Sequence, residues 1–211
     1  MMKHFPCLKI FSASIIFGLS IACFSSTSTL AANLLSAQSH KAYYGKYGGP
    51  FKLVDQTGNT VTDKNYRGKY LLVFFGYTFC PDVCPTALQI LSASLDLMGD
   101  AENQIQPIFI SVDPNRDTPE VLASYVNNFG HNLVGLTGDQ KNIDEVAKAY
   151  GARYEKDTAP DGSPVTGNDY FISHSAGTYM MDRQGKYLVT FPMGVSPEDM
   201  AYNLTKIMKS H

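Results

Sequence analysis

Apolar and polar positions along this chain change period several times, and each change marks an element. Phe51, Leu53 and Val61 alternate with polar residues on either side of Gln56-Thr57-Gly58-Asn59, which predicts a β-hairpin. After a turn at Asn65-Tyr66-Arg67-Gly68-Lys69, residues 70–77 are almost wholly apolar, the mark of a strand covered on both faces. Behind Pro85, Leu88, Leu91, Leu95 and Met98 recur at helical spacing until Gly99-Asp100 ends the stretch. Residues 105–112 predict a second buried strand. Thr118-Pro119-Glu120 has the capping hydroxyl and first-turn proline of a helix start, and Leu122, Tyr125, Val126 and Phe129 give that helix its buried face. A short strand over 132–137 and a helix over 142–150, with Ile143, Val146 and Tyr150 inward, come next. Residues 154–169 are rich in Asp, Gly, Pro and Thr and read as a mobile loop. Residues 178–181 and 187–191 flank Asp182-Arg183-Gln184-Gly185 as a second hairpin, and Ser196-Pro197-Glu198 starts a last helix carrying Met200, Leu204 and Ile207.

The order is hairpin, βαβαβα, hairpin, helix. It predicts an α/β domain with a mixed central sheet flanked by helices on both faces. A thioredoxin-like fold with an extra N-terminal β-hairpin fits this order. With 44% hydrophobic and 17% charged residues in 211, the chain can bury a core and is not a disordered one. The domain is expected over residues 48–211, starting near Gly48-Gly49-Pro50, behind a polar, tyrosine-rich tether at 33–47. Residues 1–32 read as a leader: basic residues Lys3 and Lys9, an apolar run over 10–24, then small residues to Ala31-Ala32. That is a secretory signal peptide, or an uncleaved membrane anchor although the run is short for a span. Outside the leader, 15 of the 17 basic residues face all 19 acidic ones, with no basic stripe. Nucleic-acid binding is therefore not indicated.

Cys7 and Cys23 fall in the leader, so the domain carries only Cys80 and Cys84. They sit four apart where the first buried strand gives way to a helix, with Pro85 suited to the first helical position and Cys84 at or near the N-cap. A helix N-terminus favours thiolate, which is both nucleophile and metal ligand. Export would permit a Cys80–Cys84 disulfide without requiring one. One of the downstream histidines, His174, stands at the end of the polar loop just before a strand. Thioredoxin-type redox enzymes place a cis-proline at that junction, whereas this chain has His174-Ser175 and no proline until Pro192. Two thiolates and an imidazole are a soft ligand set that suits copper, with an oxygen from Asp82 or water available to the oxidised ion. The same thiol pair could serve disulfide exchange, and a structural zinc site would normally ask for a fourth protein ligand. His40, His131 and His211 read as surface residues, and Tyr77 and Tyr170 as packing residues.

The run Phe75-Gly76-Tyr77-Thr78-Phe79-Cys80-Pro81-Asp82-Val83-Cys84-Pro85-Thr86 closely resembles the signature of the Sco/SenC copper proteins. Ser111-Val112-Asp113-Pro114-Asn115-Arg116-Asp117-Thr118-Pro119 is similar to their second block, and Tyr170 with His174-Ser175 to their third. Gly49-Pro50-Phe51-Lys52-Leu53-Val54-Asp55 and Arg67-Gly68-Lys69 resemble the family's entry, so the likeness covers about residues 48–208. Phe79 departs from the pattern, since many members carry histidine there. The resemblance implies a thioredoxin-like, exported domain, periplasmic or anchored to the inner membrane on its non-cytoplasmic side. It implies one copper, Cu(I) or Cu(II), held by Cys80, Cys84 and His174. Delivery of that copper to the dinuclear site of cytochrome c oxidase subunit II, or to another copper protein, is the implied task, or else reduction of that site's thiols. A thiol reductase would keep the pair open. Asp82, Asp113, Arg116 and Asp117 are implied as a polar surround that orients the ligands or meets the partner.

Overall fold

The computed structural model describes residues 47–158, 162, 163, 165 and 167–211. The expected leader, and the tether up to residue 46, lie outside the described residues. Tyr47, placed at the end of the tether, is packed edge-on against Tyr179 and Tyr187 at ring separations of 6.3 and 5.2 Å.

The strands are β1 Lys52–Asp55, β2 Thr60–Thr62, β3 Tyr70–Gly76, β4 Ile105–Ser111, β5 Val134–Thr137, β6 Tyr154–Lys156, β7 Ile172–His174, β8 Thr178–Met181 and β9 Tyr187–Phe191. The helices are α1 Val83–Asp96, α2 Pro119–Val126, α3 Gln140–Tyr150 and α4 Pro197–Met208. Seven strands make one sheet in the order β2-β1-β5-β4-β3-β8-β9. β3, β4 and β5 run parallel, and β1 and β8 join them antiparallel. This is the expected mixed sheet of a thioredoxin-like domain, with the N-terminal hairpin extending it at the β5 side. Strands β6 and β7 stand apart as a two-stranded antiparallel ribbon.

β3 is central and every residue of it is buried, as its unbroken apolar run requires. Its alternate residues face opposite layers. Tyr70 and Leu72 join Leu91 and Leu95 of α1 and Met200 and Leu204 of α4. Leu71, Val73 and Phe75 join Ile143, Val146 and Tyr150 of α3. Each large aliphatic side chain so covered contributes about 1.5–3 kcal/mol. Pro119 and Pro197 open α2 and α4, and Thr118 and Ser196 cap them by accepting from the amides of Val121 and Asp199.

Four local expectations are revised. Pro85 is the third residue of α1, not the first, and Asp82 is the N-cap, so Cys84 lies inside the first turn. The first four helical amides lack intrahelical acceptors, so proline is tolerated there too. β5 begins at Val134 rather than 132, because His131 and Asn132 hold left-handed φ of 54° and 52°. His131 is no free surface residue: its ring lies between Glu102 (2.5 Å) and Asp96 (3.4 Å). Finally, the start of the presumed loop at 154 is strand β6.

Candidate metal centre

The two cysteines descend from the middle of the sheet. β3 ends at Gly76, and the chain then turns through residues 77–82 into α1. Cys84 packs back under that turn. A Cβ at Gly76 would lie 2.6 Å from Cys84 Sγ and 2.9 Å from the Phe109 ring, so the sulfur occupies the space that glycine leaves. Cys84 is fully buried and Cys80 half-buried, and both are free thiols rather than the disulfide that export would permit. The Cys84 amide donates to Cys80 Sγ at 3.4 Å.

His174 arrives from the other side, as the last residue of β7. Its Nε2 lies 3.2 Å from Cys84 Sγ, and its Nδ1 lies 3.2 Å from the Ser175 carbonyl. A proton on Nδ1 donated to that carbonyl leaves the Nε2 lone pair facing the sulfur. Phe74 and Tyr77 hold the ring edge-on, 6.0 and 5.9 Å away. Ligand atoms of Cys80, Cys84 and His174 all lie within 4.8 Å of one another, and no fourth His, Cys, Asp or Glu joins them among the described residues.

Burial decides the protonation states. It pushes the Cys84 thiol well up, with the nearby Cys80 adding to the effect. The helix N-terminus was expected to do the reverse, but desolvation of a wholly buried sulfur outweighs a partial dipole charge. Burial also pulls the His174 imidazole below its ordinary 6.5, against smaller opposing effects of the Ser175 and Phe75 carbonyls. Burial thus favours the neutral forms of both the Cys84 thiol and the His174 imidazole. A soft cation entering the centre displaces protons from sulfur and meets a free imidazole lone pair. The group suits monovalent copper, which accepts low coordination and soft donors. It lacks the four ligands of structural zinc.

The polar surround divides by depth. Asp82 is exposed; its carboxylate accepts from the Thr86 hydroxyl at 3.3 Å and does not enter the triangle as an oxygen ligand. Asp117 is fully buried and ties two loops together. It accepts from the Thr78 amide (3.0 Å), the Thr78 hydroxyl (2.6 Å) and the Ser111 hydroxyl (2.5 Å). Burial raises its pKa, and those same bonds partly oppose the rise. Asp113, also buried, pairs with Arg116 and accepts from the Tyr170 hydroxyl at 2.6 Å. Tyr77, read as packing, also accepts from the Ile172 amide through its hydroxyl at 3.2 Å. That link joins the cysteine turn to β7, and no spacing in the sequence signals it.

A cleft of about 430 Å³ opens onto the centre and is lined by Tyr77, Cys80, Asp82, Phe171, His174 and Met193 among others. Phe79, Phe171 and Met193 are half-exposed. No helix among the described residues is long and apolar enough to cross a membrane.

The SCO1/SenC family model matches residues 39–209. The chain is 37% identical over 155 residues to Protein sco1 of Schizosaccharomyces pombe, covering 73% of this chain and 58% of that protein, less than two thirds of the relative's length. ScoI of Bradyrhizobium japonicum with copper bound superposes with a TM-score of 0.67 at 43% identity, over 76% of this chain and 98% of that one. BsSco, described as a member of the Sco family of cytochrome c oxidase assembly proteins with a disulfide switch, gives a TM-score of 0.58 at 26% identity, over 78% and 93% of the two chains. With a family model that matches most of the chain and relatives of 37% and 43% identity, the chain belongs to the SCO1/SenC family.

Proposed function

We propose that this domain is a copper chaperone that carries one copper ion on Cys80, Cys84 and His174 and delivers it to the dinuclear copper site of cytochrome c oxidase subunit II. The observation that carries this reading is the convergence of two thiol sulfurs and an imidazole within 4.8 Å, with Cys80 and His174 lining an open cleft. Three soft donors, with no fourth His, Cys, Asp or Glu joining them among the described residues, leave room for an incoming ligand, so cargo can pass by exchange instead of release. The copper-bound relative supports the choice of metal. The protein works outside the cytoplasm and close to the membrane, exported by its leader to the periplasm or held there by it. Titrating the reduced protein with Cu(I) against a competing chelator tests this. About one copper should bind, and His174→Ala should weaken binding at least tenfold, within the range for losing a metal-site group. Equal retention by that variant would sink the three-ligand site.

A second reading rests on the free thiols and on the disulfide switch named for BsSco. Cys80, the accessible sulfur, would attack a partner disulfide as thiolate. Cys84 would then displace the partner thiolate, so that the partner gains two electrons and the domain ends as the Cys80–Cys84 disulfide. A thiol reductase must then restore the pair. This activity would survive His174→Ala, which separates it from copper carriage.

A further inference from the structure

The loop between β4 and α2 supplies no ligand, yet one of its side chains touches both segments that do. Arg116 is only 11% exposed, and its Nε pairs with Asp113 Oδ2 on a carboxylate with no exposure. Its Nη1 donates to the carbonyls of Asn168 (3.0 Å) and Tyr170 (2.9 Å), on the segment that leads into β7. Its guanidinium carbon lies 3.7 Å from the centre of the Tyr170 ring. The same group lies 4.8 Å from the ring of Phe79 and 5.6 Å from that of Tyr77, on the turn that carries Cys80. A planar cation can bond in its plane and stack through its faces at once, and lysine cannot.

We propose that Arg116 is a positioning residue that clasps the histidine arm to the cysteine turn and so sets the separation of His174 from the two sulfurs. The inference rests on the copper reading above and deepens it. Tyr170 stands four residues before His174, and Ile172, two before it, is held by the Tyr77 hydroxyl. Between them these bonds fix the approach of β7. Without Arg116 the carbonyls of Asn168 and Tyr170 lose their shared donor, the Tyr170 ring keeps only Lys156 of the two cations on it, and the imidazole leaves Cys84 Sγ. What remains is a two-thiol site that takes Cu(I) more weakly.

Full-length protein carrying Arg116→Lys or Arg116→Ala, reduced throughout, provides the test. Arg116→Ala should weaken Cu(I) binding about 10- to 100-fold, the usual cost of losing an outer support of a metal ligand. In a His174→Ala background the same change should cost no more than about twofold, because the ligand it positions is already gone. A metal-free readout accompanies this: the His174 ring resonances should move in both variants, while Arg116→Lys unfolds at nearly the wild-type temperature. Unmoved resonances and unchanged affinity in Arg116→Lys would overturn the clasp. So would an Arg116→Ala penalty equally large with and without His174, which would place its effect on the thiols or the fold. If Arg116→Ala does not fold, Arg116→Lys decides. If wild-type protein binds no copper, the chaperone reading fails, and the ring resonances alone decide the clasp.

Discussion

The two sides of the metal centre are built in different ways. The cysteine side hangs from β3, which pairs with β4 through seven consecutive residues, Tyr70↔Ile105 to Gly76↔Ser111, and is buried throughout. The histidine side rests on β7, three residues long and paired among the described residues with the largely exposed β6. Backbone ladders and core packing place the sulfurs. Side-chain bonds from the other region place the imidazole: Tyr77 to Ile172, Arg116 to Tyr170, and ring contacts from Phe74 and Tyr77. A protein can thus fix two ligands with its fold and hold the third by a few tunable contacts.

Breaking the rooted side should cost most. Gly76→Ala forces a Cβ against Cys84 Sγ and Phe109, and should destabilise the domain by about 3 kcal/mol, near the top of the range for overpacking a core. Urea unfolding measures this, and a loss below about 1 kcal/mol would mean that the sulfur can move aside. Asp117→Ala comes next. It strands the Thr78 amide, and should cost about 2 kcal/mol of stability while loosening the turn before Cys80. Tyr77→Phe crosses from one side to the other. It removes one acceptor from a buried amide, about 1 kcal/mol, and should weaken copper binding more than it weakens the fold. An effect on stability alone would deny the hydroxyl its role in placing β7.

The smallest effect is one of pH. Because burial lowers the folded-state pKa of His174, the unfolded chain takes up a proton on that ring first, near 6.5. Stability should therefore decline as pH falls through 6.5 toward the lower folded value, and the contribution should be flat above that window. Comparing unfolding at pH 7 and pH 5 in wild type and His174→Gln isolates the ring. Equal slopes in the two proteins would contradict its burial.

Much of the rooted side was legible in the sequence. An eight-residue apolar run can only be an interior strand, and leucines at 88, 91 and 95 can only face one layer. The Cys80, Cys84 and His174 set was legible too, through residue type and sequence blocks. The ribbon was not: Tyr154-Glu155-Lys156 and Ile172-Ser173-His174 are too short and polar to show a period, and they pair across 15 intervening residues. Nor was the depth of Asp113 and Asp117, because their partners, Tyr170, Thr78 and Ser111, are distant in the chain or lie on another element. The protonation of Cys84 was misjudged for a related reason. A helix N-terminus is visible in a sequence, whereas complete burial of a sulfur is a property of the packed molecule.

The unequal depth of the two sulfurs imposes a sequence of events on any encounter. Cys84 has no exposed surface, while Cys80 borders the cleft. A visiting thiol or thioether, whether it comes to collect metal or to exchange a disulfide, meets Cys80 first, and Cys84 lets go last. Brief alkylation of the reduced protein followed by mass analysis should find the label on Cys80 well before Cys84. The handover then has a polarity, with one sulfur as the door and the other as the latch.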